Sequence, residues 1–144
     1  MATITLPPNS RAIGNTSHTS DHNLLVDAIT AVNTESTALN KGVSTLNEQT
    51  GASYTLVLSD AGKTIECNYA TAFTLTVPTG ASVAFDTRTR IDIIQTGAGQ
   101  VTVQGAGGVT VNARLGLKLA GQWAGATLIK RGTDSWVLIG ALTT

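Results

Sequence analysis

A chain of 144 residues has room for one domain, or for a small domain carrying an extended element. Its nine basic and nine acidic residues cancel and only 12% of residues are charged, which excludes the clustered Lys and Arg needed to grip a phosphate backbone. Aromatics at 4% leave few large rings for stacking, and the lone cysteine, Cys67, excludes an internal disulfide and a cysteine-based zinc knuckle.

The opening stretch, MATITLPPNSRAIGN, shows no basic region followed by an apolar run, so it is not expected to act as a secretory signal. No segment reaches the roughly 18 apolar residues of a membrane span, and synthesis in a cytoplasm is expected. Two prolines stiffen LPP toward an extended backbone, and RAIGN adds one basic residue and a turn signal. Residues 1–19 cannot bury a core alone. They are expected to be a disordered tail or an arm lying on another surface.

Residues 20–51 are expected to form the one good helix. Ser20 is a suitable N-cap, Asp21 puts negative charge in the first turn, and Gly51 suits the position just past the end. Leu25, Ile29, Val32, Leu39, Val43 and Leu46 recur in steps of four and three. With Ile29 at a, the d positions are Leu25, Val32, Leu39 and Leu46; the a positions are Ile29, Ser36, Val43 and Thr50. Asn33, Asn40 and Asn47 repeat at e. A stripe this narrow belongs to a coiled-coil seam, because a helix lying on a globular domain shows a further apolar row. Some 30 residues of helix would make a rod of about 45 Å, and an isolated helix this polar is marginal in water. Self-association therefore outweighs packing on its own β domain. The heptads leave the number of helices open, since Ser36, Thr50 and Gly42 dilute the rule linking residue type to oligomer size.

Residues 52–144 read as β throughout. SYTLVLS, KTIECNY, FTLTVPT, RIDIIQT, QVTVQG, VTVNAR, LGLKLAG, ATLIKRG and SWVLIGAL are short strands separated by turn signals such as SDAG, TGAG, GAGG and RGTD. The pattern predicts a β-sandwich or barrel-like head domain. Consecutive apolar residues in IDII and WVLIG predict burial on both faces. In KTIECNY, Ile65 and Cys67 share a face, so Cys67 is expected to be a small buried apolar residue.

Several patterns resemble chemical sites. His18 and His22 lie four apart beside Asp21, but no Glu follows His18 as a metalloprotease helix requires, and His18 precedes the expected N-cap, Ser20. In the heptad frame they fall at d and a, at the mouth of the bundle, so the pair reads as a helix start and no metal is expected; an ion held on a symmetry axis by His22 is the minor alternative. GAGQVTVQGAGG lacks both the third glycine and the following helix of a dinucleotide loop. Its glycines are expected in hairpin turns. No G-x-S-x-G occurs. A two-carboxylate glycosidase site would draw on Asp60, Glu66, Asp86, Asp92 and Asp134, each of which also has a turn, strand or loop reading. Trp136 reads as core, and Trp123, between glycines, as either exposed or at a subunit contact. No cofactor and no catalytic residue is expected.

HTSDHNLLVDAI after a proline-containing leader resembles the opening of small virion proteins of tailed bacteriophages. YTLVLSDAGKTIECNYATAFTLTVPTGASVAF, IDIIQTGAGQVTVQGAGGVTVN and ATLIKRGTDSWVLIGAL are similar to the β modules of phage head-decoration proteins, head fibres and tail-fibre tips. The resemblance covers nearly the whole chain and rests on structural motifs. It implies a homotrimer: an anchoring arm with Ile4, Leu6, Pro7, Pro8, Arg11 and Ile13, a short helical coiled-coil stalk and a β head. Of the possible stations, a short arm, one stalk and one head fit capsid decoration, with the major capsid protein as partner on the capsid exterior. The alternative is a tail-fibre tip that recognises a host-surface glycan. Neither implies contact with nucleic acid or membrane.

Overall fold

The computed structural model describes Asn23, residues 25–31 and residues 44–144. The protein is mainly β, with one α-helix among the described residues. The helix, α1 (residues 25–31), belongs to one compact unit, and Ser44–Thr144 forms a second. Of the expected arm and stalk, Ile4, Leu6, Pro7, Pro8, Arg11, Ile13, Val32, Leu39 and Val43 lie outside the described residues.

The β unit opens with a strand where helix was expected. β1 (Leu46–Gln49) pairs in parallel with β3 (Thr64–Cys67), setting Leu46 abreast of Thr64 and Asn47 abreast of Ile65. The heptad pattern runs on through Leu46 and Thr50, but Leu46 does not sit in a helical seam. Polar contacts decide the conformation: Asn47 enters a buried hydrogen-bond network, Asn68 Nδ2 donates to Glu48 Oε1 at 2.9 Å, and Thr64 N donates to Thr45 O. A helix could satisfy its own backbone here but not these side chains.

From β1 the chain winds between two sheets. β2 (Ser53–Thr55), β4 (Phe73–Val77) and β6 (Val101–Gly105) pair in parallel in one sheet; β1, β3 and β5 (Arg90–Gln95) do the same in the other. Each turn of chain thus contributes one strand to each sheet, which is solenoid-like, and a single 3₁₀ turn, Leu58–Asp60, lies on the first turn. Antiparallel pairing then takes over. β9 (Gly125–Gly132) lies against β5 and forms a hairpin with β10 (Ser135–Gly140); β8 (Lys118–Leu119) lies against β6, and β11 (Leu142–Thr143) against β8. β7 (Thr110–Asn112) pairs in parallel with β10 at a sheet edge. The orders are β1-β3-β5-β9-β10-β7 and β11-β8-β6-β4-β2.

Alternation builds the core. Phe73, Leu75 and Val77 of β4 and Val101 and Val103 of β6 point inward, as do Ile65 and Cys67, Ile91 and Ile93, Leu128, and Trp136 and Leu138 from the facing sheet. Their Thr neighbours point outward, which a two-residue period requires. The expectation of burial on both faces of IDII and WVLIG is corrected: Ile94 and Val137 are half-buried and Ile139 is 58% exposed. The glycine-rich turns need a second correction. TGAG carries the chain from β5 in one sheet to β6 in the other, and GAGG from β6 to β7, so neither closes a hairpin. RGTD does, between β9 and β10.

Between β4 and β5 the chain makes an excursion, residues 78–89, pinned by the hairpin. Lys130 is buried; its Nζ donates to Phe85 O at 2.6 Å and stands 5.9 Å from the Trp136 ring centroid. Phe85 meets Trp136 edge-on at 5.5 Å, and Gly80 N donates to Asp134 Oδ1 at 2.6 Å. A lysine is tolerated here because a carbonyl and an aromatic face receive its charge while its stem packs as hydrocarbon.

Candidate functional site

The helix presents the first candidate surface. Leu25 and Ile29, one turn apart, are 61% and 45% exposed, and Val26 beside them 46%. Side chains at i and i+4 share a face, so Leu25 and Ile29 form an apolar ridge that the described residues leave open to solvent. Thr30 Oγ1 donates back to Val26 O at 2.8 Å, which satisfies that hydroxyl within the helix. Leu46, the other described member of the expected seam, lies on β1 and is 60% exposed.

The five carboxylates singled out in the sequence do not converge. Asp60 is completely buried: Asn47 Nδ2 donates to its Oδ1 at 2.8 Å, and Tyr54 Oη and Val57 N donate to its Oδ2 at 2.9 Å each. Gln49 Nε2 in turn donates to Asn47 Oδ1 at 2.7 Å, holding that amide in orientation. Burial, and then the hydrogen bond to Asp60, hold the Tyr54 phenol above its ordinary value of 10.0, against the opposing hydrogen bond from Asn47. Asp134 sits in the β9–β10 turn at φ 50 and accepts from Gly80, and Asp86 is exposed in the excursion. Only Glu66 and Asp92 share a neighbourhood, on the outward face of adjacent strands and offset by two positions in register. Asp92 accepts from Thr127 Oγ1. Among the described residues no group of three or more His, Cys, Asp or Glu side chains could hold a metal ion. His18 and His22 lie outside those residues.

Cys67 is 1% exposed, and burial, followed by the charge of Glu66, pushes its thiol up to about 12. A thiol so far from ionisation is a poor nucleophile.

A shallow groove of about 450 Å³ opens at the β7–β10 side of the β unit. Leu115, Val137, Ile139 and Leu142 give it an apolar floor, with Asn112 and Arg114 at its polar margin. None of the five carboxylates lines it. Leu115 and Ile139 are both more than half exposed.

Of the two tryptophans, Trp136 is core and Trp123 is 70% exposed at φ 68. Several of these features left no sequence signal. SDAG reads as a turn, and nothing local says that Asp60 will collect three donors from β1, β2 and its own loop. Lys130 sits in an alternating strand at an inward position, and that parity was the available sign of its burial.

Among the described residues no helix is long and apolar enough to cross a membrane. No protein-family model and no curated protein matches the chain.

Proposed function

We propose that this chain is a non-enzymatic structural protein of a tailed-bacteriophage virion, a capsid decoration or head-fibre protein that binds the shell of major capsid protein as a homotrimer. The observation that carries the reading is the apolar ridge of Leu25 and Ile29, left uncovered on a helix whose sequence continues the same seam through Val32, Leu39 and Val43. A helix with such a ridge gains stability only when the ridge is covered. Sister copies cover it most simply, since each brings the same ridge in the same register. Leu46, the next residue of the pattern, lies on β1 and takes no part in such a seam.

The number three comes from the resemblance to phage virion modules. The rest of the chain fits the role: a neutral composition avoids the packaged nucleic acid, and a stiff two-sheet unit serves as an outward-facing head. Residues 1–19 are the anchor. Three arms on one stalk engage the shell multivalently, so each needs only weak affinity.

The test pairs the full chain with a variant lacking residues 1–19, each mixed with undecorated capsids and sedimented. The full chain is expected to pellet with the shells, with density on capsid faces in electron micrographs, while the shortened chain stays in the supernatant at unchanged oligomeric mass. Co-sedimentation of the shortened chain removes the anchoring role, and density at the tail removes the capsid station.

A further inference from the structure

We infer that the turn carrying Trp123 is a binding site for a neutral carbohydrate, with the indole as the platform on which one sugar ring stacks. The inference stands apart from the oligomer and virion reading. Ala124 N donates to Gly121 O at 3.0 Å, closing a four-residue turn with Gln122 and Trp123 at its centre. Trp123 has φ 68 while Gln122 does not have positive φ, which makes this a type II turn with tryptophan at the position glycine favours. A bulky residue in the left-handed region is strained, and the strain brings no packing in return, because Trp123 is 70% exposed. The conformation is nonetheless well anchored. Trp123 N donates to Gln95 O at 2.6 Å, and Gln122 Nε2 donates to Thr96 O at 2.8 Å. The ring is held out on a braced turn.

The neighbourhood selects the ligand. The turn rests on the corner at residues 95–100, which rests on the corner at residues 68–72: Thr96 N and Gly97 N both donate to Cys67 O, and Gly99 N to Tyr69 O. No charged residue occurs in residues 68–72, 95–100 or 120–124, and the carboxylate that reaches them, Glu48, sits on Asn68 at the far corner. A phosphate or a nucleic acid would find no cation there. The same three segments hold no large aliphatic side chain, so a protein partner would find one ring and little else to bury. They do carry exposed amides and hydroxyls at Thr71, Gln100 and Gln122, of which the Gln122 and Gln100 amides each donate one bond within the protein, to Thr96 O and Leu119 O. An exposed indole face with the uncharged Gln122 amide beside it in the turn complements a pyranose, which has an apolar face and a rim of hydroxyls.

The test screens the full-length protein against an array of neutral oligosaccharides and titrates the best binder while following tryptophan fluorescence, to which the exposed Trp123 contributes the ligand-sensitive part. Parallel titrations use Trp123→Gly and Trp123→Phe. The parent is expected to bind with a change in emission. Trp123→Gly is expected to melt no lower than the parent, keep its oligomeric mass and bind at least tenfold more weakly; Trp123→Phe, which keeps a smaller ring, should fall between. The inference is overturned if no neutral oligosaccharide is bound, or if Trp123→Gly binds as tightly as the parent. It is also overturned if Trp123→Gly changes the oligomeric mass, which would assign the ring to a contact between copies.

Discussion

Asp60 shows how a single side chain can hold the start of the β unit. Its carboxylate gathers Asn47 from β1, Tyr54 from β2 and Val57 N from the loop between β2 and the 3₁₀ turn, so three separate stretches meet on two oxygens. Hydrogen bonds to a charged group are worth about 1.5–3 kcal/mol each, and a buried donor stripped of its acceptor costs about 1–3. Asp60→Ala is therefore expected to destabilise the unit by about 3 kcal/mol or more in urea titrations, whereas Tyr54→Phe, which leaves the carboxylate two donors, should cost about 1. A second prediction concerns alkaline pH. Cys67 titrates near 12 when folded against an ordinary 9.0, so between those values the folded chain holds a proton that the unfolded chain has released. Stability then falls as pH rises from about 9 through 12, and the raised phenol of Tyr54 adds to the slope above 10. Chemical denaturation across that range should show the decline, and Cys67→Ala should flatten it; a flat parent profile would contradict it.

At the level of elements, strand identity was legible because alternation is local, while connectivity was not. FTLTV and VTV each announce one buried and one outward face, and the structure places Phe73, Leu75, Val77, Val101 and Val103 inward. Which sheet a strand joins depends on long-range stacking, so the glycine turns looked like hairpins when they are passages between sheets. Gly97 and Gly99 show the physical reason. A Cβ at Gly99 would lie 1.5 Å from Thr71 O, and one at Gly97 2.3 Å from Tyr69 N, because successive corners rest directly on one another. Gly99→Ala is accordingly expected to prevent folding, a cost above about 4 kcal/mol, with loss of the cooperative thermal transition. Gly107→Ala, where a Cβ meets nothing within 4 Å, should leave the melting temperature essentially unchanged. The same distinction explains the start of β1. Heptad spacing is a one-dimensional signal that ran through Leu46, and only the neighbouring turn of chain, with Thr64, Asn68 and Asp60, made strand the better conformation there.

At the scale of the whole molecule the chain forms two compact units: one holds a helix whose Leu25 and Ile29 are exposed among the described residues, the other is a two-sheet unit with a closed core. Leu25 and Ile29 are both exposed on one face of α1, and their helical spacing was legible from the sequence. The Trp123 turn was not, since its exposure and left-handed backbone arise from the corner against which it is braced. Under the proposed function, sister copies close the ridge. Light scattering on the purified full-length protein tests it most directly, beside a variant carrying Leu25→Asp and Ile29→Asp. The parent is expected at three times the 14.8 kDa of one chain, and the variant as a smaller species with its β unit still folded. A parent that runs at 14.8 kDa, or a variant whose mass equals the parent's, would contradict it.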